Sequence, residues 1–117
     1  MTGTLTLAPA LDGIVRPAAL WWTGAVVTAQ DARLDGPIAG TVARVVAHPP
    51  DDAQAVRAMY RRVGIDPTRT RPCNEALLRR VRRGDPFPRV NSLVDVVNWC
   101  SLEFQLPYGV YDRARLR

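Results

Sequence analysis

Four arginines fall within five positions, Arg79, Arg80, Arg82 and Arg83, and make the densest charge in the sequence. A guanidinium fork matches phosphate oxygens two at a time, so this cluster is a candidate for holding a nucleic-acid backbone. The same charges would suit the last turn of a helix, where cations meet the negative end of the dipole. Asp95 and Asn98 form a second polar pair, one helical turn apart among apolar neighbours. Polar groups in such a setting need partners. Ser92 and Asp95 have the spacing of a capping box, with Ser92 as N-cap. Asn98 has no such role and is left either to tie down a loop or to line a pocket. Groups for covalent or metal chemistry are sparse. Cys73 and Cys100 form no C-x-x-C pair, and the lone His48 precedes Pro49 and Pro50. A zinc site needs about four N or S ligands, so no metal and no other cofactor is expected. Cys73 falls near a helix start, where a thiol pKa can drop. No histidine is placed to serve it, so no catalytic role is assigned. There is no Ser–His pair and no phosphate-binding glycine loop.

The elements that must position these residues are clearest in the second half. Val56, Met59, Tyr60 and Val63 recur at helical spacing after a capping Asp51 or Asp52, and Gly64 stops that helix. Asp66–Pro67 and Arg71–Pro72 mark an extended connector. Asn74 is expected to cap a second helix over 75–83, ended by Gly84. At about 100° per residue, Leu77, Leu78 and Val81 share one arc of it and the four arginines fan across the other side. A third helix is expected at about 92–105. Leu93, Val97, Cys100 and Phe104 form a narrow stripe, while Trp99 and Leu102 point to the far side, with Asp95 and Asn98. Apolar on both sides, this helix is expected to be buried on both sides. Residues 107–111 look like a turn into a strand.

The first half is less patterned. Residues 1–18 read as a loose lead-in rich in turn formers. Residues 20–29 contain Trp, Val and Thr in the manner of a buried strand. Residues 31–37 read as a loop around Gly36–Pro37, and 38–47 fit a helix or a strand. The fold class expected is therefore α/β (α+β): a layered domain whose buried helix at about 92–105 leads into a strand.

With 117 residues and 47% apolar content, the chain is long enough for one domain with a real core. No apolar run reaches the ~18 residues of a membrane helix. The N-terminus has no basic segment before its apolar residues and does not read as a signal peptide. No membrane association and a cytoplasmic location are expected. The net charge is +5 and the pI about 10.2, with every cation an arginine. A GC-rich coding sequence and phosphate binding both account for that.

The string RVNSLVDVVNWCSLEFQLPYGVYD, residues 89–112, resembles the B3/B4 domain, the tRNA-editing domain of the phenylalanyl-tRNA synthetase β subunit. Asn91, Val94, Asp95 and Asn98 match that family's helix pattern, and Pro107, Tyr111 and Asp112 match the turn after it. Upstream, VRAMYRRVGIDPTRTRPCNEALLRRV, residues 56–81, is similar to the free-standing relatives of the domain. The resemblance covers 56–117 as the first half of a B3/B4-like unit, leaving 1–55 as an N-terminal strand-containing region of unassigned role. It implies a layered α/β fold. It also implies a tRNA or aminoacyl-tRNA partner and an amino-acid pocket lined by this helix and turn. Asn98 maps onto a pocket position, and Gly109 stands where the synthetase version carries a histidine, as in the free-standing relatives. The family also continues into further sheet with an acidic editing residue. An editing-like domain without activity in this form is therefore expected, incomplete after its first half: either the reading frame is truncated or a second chain associates to complete it. Two alternatives remain. One is a trans-acting aminoacyl-tRNA deacylase using the substrate's ribose hydroxyl and a water. The other is a small-molecule or protein-binding module on the same fold.

Overall fold

The protein is known here as a computed structural model, which describes residues 3–50 and 54–116. Four α-helices carry the described chain: α1 Asp35–Ala47, α2 Gln54–Arg62, α3 Cys73–Arg82 and α4 Ser92–Phe104. Short 3-10 turns stand at Pro9–Leu11, Ala32–Leu34 and Arg113–Arg115. No strand forms among the described residues. The α/β expectation is thereby overturned: the fold is all helical. Residues 20–29 run without regular structure and exposed, bending at Gly24. Their attachment to α4 is at Thr28, whose N–H donates to Ser92 Oγ and whose carbonyl accepts from Ser92 N–H, both at 2.9 Å. A β-rich composition reports fitness for a pleated, half-buried surface. With no neighbouring strand to supply one, the segment stays unpaired. The turn at 107–111 likewise leads into no strand.

The ambiguous stretch 38–47 belongs to α1, which begins within the expected loop. Asp35 occupies the favourable first turn and Pro37 lies in that turn too, where a missing N–H costs nothing. Ile38, Thr41 and Val45 are buried at helical spacing. Valine content thus loses to tertiary packing. The core gathers Val45 of α1, Leu77 and Val81 of α3 and Leu102 of α4, with Val42, Leu78 and Phe87 packed against it.

Gly64 and Gly84 end α2 and α3 as expected, with φ of 83° and 85°. Each helix closes with the same pair of bonds. Gly64 N–H donates to Arg61 O and Ile65 N–H to Tyr60 O; Gly84 N–H donates to Val81 O and Asp85 N–H to Arg80 O. This is the left-handed glycine cap of a Schellman motif. The expected caps at Asp51 or Asp52 lie outside the described residues. Two other caps differ from expectation. Asn74 does not cap α3: Pro72 holds that position without a side-chain bond, and Asn74 lies inside the helix, buried. At α4 the N-cap is Asn91 rather than Ser92, its Oδ1 accepting from Val94 N–H at 2.9 Å.

Candidate functional site: the arginine face and the α4 turn

Asp95 has no exposed surface. Its Oδ1 accepts from Val90 N–H at 2.7 Å and its Oδ2 from Arg89 Nε at 2.8 Å. It reaches back past the helix start much as a capping box does, but two residues further than the expected pairing with Ser92. Arg89 also donates to Asp35 Oδ1 at 2.6 Å and to the Asp31 carbonyl at 3.2 Å. One guanidinium therefore joins the α3–α4 loop to the starts of both α1 and α4. These two carboxylates, Asp95 foremost, push the Arg89 pKa upward. A second tie lies one helical turn on. Trp99 Nε1 donates to Thr41 Oγ1 at 2.8 Å, Thr41 donates to Glu103 Oε2 at 2.8 Å, and Arg44 pairs with the same carboxylate.

These ties orient α4. Asp95, Trp99 and Leu102 turn toward α1 and α3, and Leu102 is fully buried. The stripe expected to be buried opposite them is only partly covered, with Leu93 and Phe104 exposed and Val97 and Cys100 half-buried. Burial on both sides of α4 is therefore corrected to burial on one. Asn98 lies on the inner side, half-buried, and its side chain makes no hydrogen bond to another described residue. On the open side, burial pushes the half-buried Cys100 thiol up, and Glu103 adds to this.

After α4, Gln105 takes a left-handed conformation, φ 52°, and the chain turns back toward α3. Ser101 Oγ donates to Leu106 O at 2.6 Å, and Tyr108 N–H donates to Cys73 Sγ at 3.4 Å. With the Ser101 proton given to Leu106, the Cys73 thiol proton is shared between Ser101 Oγ at 3.4 Å and the Tyr108 carbonyl at 3.7 Å. Cys73 thus serves as a pin for the turn. Gly109 follows, exposed, with the Tyr111 ring folded over it: a Cβ there would lie 2.9 Å from ring atoms. The best-formed depressions of the described surface are lined by Leu7 and residues 12–17, and by α1 with Phe87 and Arg89. Neither includes Asn98 or Gly109.

The four arginines of α3 divide in two. Arg80 Nε donates to Pro86 O at 2.8 Å, and Arg83 pairs with Asp85 at 3.0 Å. Both are engaged by the turn that Gly84 makes. Arg79 and Arg82 have no such partner among the described residues and are exposed. The helix expected around 56–63 is α2, but no part in the site was expected of it. Its Arg57 donates through Nε to Glu75 Oε2 at 2.9 Å and through Nη2 to Oε1 at 2.5 Å. Arg71 stands 3.9 Å from the same carboxylate. The Arg57 bonds, opposed by burial, draw the Glu75 carboxyl below its usual range, with Arg71 and Arg79 helping. The signal was present as Arg57, Arg61 and Arg62 at helical spacing, but the partner, Glu75, is distant in sequence.

The described structure is thus a small helical domain with an arginine-rich face on α3 and a pinned turn after α4. Residues 55–117 match the B3/4 domain, and the chain belongs to that family, which is associated with RNA binding of the tRNA-synthetase kind. No curated protein and no solved structure matches the chain. No helix among the described residues is long and apolar enough to cross a membrane.

Proposed function

We propose that this protein is a cytoplasmic RNA-binding module of the B3/4 type that recognises tRNA or aminoacyl-tRNA. The observation that carries the reading is that the B3/4 match, residues 55–117, contains the whole of α3 with the two unengaged arginines Arg79 and Arg82. Exposed guanidinium groups hold phosphates, and phosphate contacts position an RNA without reading its sequence. Arg80 and Arg83 contribute to the field of this face while their side chains brace the Gly84 turn. In this reading Asn98 and Gly109 border the place where the aminoacyl end would lie. Asn98 is inward-facing with an amide free to bond a ligand, and Tyr111 can swing from Gly109 because its ring is exposed.

The test is filter binding of tRNA to the whole chain at several salt concentrations. Arg79→Gln with Arg82→Gln should weaken binding and flatten the log–log salt slope by roughly 0.7–0.9 per lost contact. The melting temperature should hardly change, because both side chains are exposed. Unchanged affinity and slope would remove α3 from the RNA contact. Incubation with charged tRNA then decides whether the module also hydrolyses the ester: release of free amino acid above the uncatalysed rate would make it a deacylase.

A further inference from the structure

We propose that the gap between α2 and α3 is a second contact for the phosphate backbone of RNA, with Arg61 and Arg79 as the free guanidinium groups on its two sides. This rests on the RNA-binding reading and adds α2 to it.

The peculiarity of α2 is how lightly it is packed. None of its residues is fully buried, and no Cα of α2 lies within 8 Å of a Cα in another helix. Val56, Met59 and Tyr60 are half-buried and supply some apolar cover. Its directional link to α3 is the two-bond pair from Arg57 to Glu75, with Tyr60 lying near Cys73 at the α3 start. A guanidinium–carboxylate fork fixes orientation as well as distance. It turns one side of α2 toward one side of α3 while their backbones stay apart.

Helical spacing then says what else occupies those facing sides. Arg61 follows Arg57 by one turn, and Arg79 follows Glu75 by one turn. Both are exposed. Neither forms an ion pair among the described residues. The carboxylates available to them are already claimed. Glu75 is shared by Arg57 and Arg71, and Asp66 accepts from the Thr68 N–H and hydroxyl at 2.9 and 2.7 Å. Arg57, Arg61, Arg71 and Arg79 thus surround two engaged carboxylates. The clasp holds the helix positions that carry the positive excess, while the Arg61 and Arg79 side chains themselves stay open to solvent. Such a preset pair of cations suits a chain of regularly spaced monoanions. A solvated helix surface has no need of a buried carboxylate to hold it in register.

Salt-dependent binding of tRNA to the full chain tests this. Arg61→Gln and Arg79→Gln should each lower the log–log slope by roughly 0.7–0.9, and the double variant by about twice that. Melts should match the wild type. Arg33→Gln is the control for net charge, because Arg33 is already paired with Asp31 at 2.7 Å; it should leave the slope unchanged. If Arg61→Gln keeps the wild-type slope while Arg79→Gln with Arg82→Gln loses it, α3 alone holds the RNA. The gap is then refuted and the RNA reading stands. If the wild type binds no tRNA at any salt, or prefers phosphatidylserine vesicles to tRNA, both fall together.

Discussion

Glu75 shows how one side chain can answer for an entire helix. Its carboxylate makes the directional link between α2 and α3, and its pKa is lowered from 4.5, chiefly by the Arg57 hydrogen bonds. A group whose folded pKa lies below its unfolded value stabilises the fold above the unfolded value and ceases to do so as pH falls through the folded one. The α2 attachment should therefore be intact at neutral pH and weaken progressively below pH 4.5. Glu75→Gln should loosen α2 already at neutral pH and lose that share of the acid dependence. Amide exchange of α2 and melts between about pH 3 and pH 7 measure both effects. An α2 equally protected in Glu75→Gln would mean that the ion pair does not hold it. Asp31, drawn down to about 2 first by the Arg33 hydrogen bonds, should titrate well below the ordinary aspartate range in a carboxyl NMR titration.

At the scale of the element, the start of α4 separates two serviceable caps that sit side by side. Asn91 and Ser92 are both good N-cap types, and the capping-box spacing to Asp95 favoured Ser92. The structure gives Asn91 the helix bond and turns Ser92 outward to Thr28. Asn91→Ala should cost about 1 kcal/mol of stability in urea denaturation. Ser92→Ala should cost less, because the Thr28 bond it loses is exposed to water. The reverse order would restore Ser92 as the cap. The Gly84 turn of α3 carries a related lesson: a run of four arginines is not four free cations, because the turn that ends the helix supplies acceptors to two of them.

The whole molecule is looser than a compact chain of its length. Its radius of gyration is 15.6 Å, against about 13 Å expected. Large apolar side chains remain open: Trp22 at 77%, Val26 at 83%, Phe104 at 62% and Tyr111 at 73% exposure. Open apolar surface of this kind drives association. Sedimentation of the chain should therefore shift to larger species as concentration rises. Phe104→Glu should reduce that shift without lowering the melting temperature. A monomer at every concentration would show that these side chains are tolerated singly.

The glycine ends of α2 and α3, the arginine-bearing side of α3 and the shared side of Asp95 and Asn98 on α4 were legible along the chain, because helical spacing and glycine caps act over four or five residues, whereas the N-caps were misassigned. The B3/4 kinship was legible in the same way, since it is written in the order and spacing of the residues from Val56 onward. What the sequence could not announce were the relations across it. Leu20 to Ala29 has strand chemistry, but a strand exists only when a second one pairs with it, and here that neighbour is the start of α4. Arg57 and Glu75, or Arg89 with Asp35 and Asp95, meet only once the helices are in place. Which side of α4 is covered was likewise decided by what packs on it: both sides are apolar enough to be buried, and α1 and α3 cover only one.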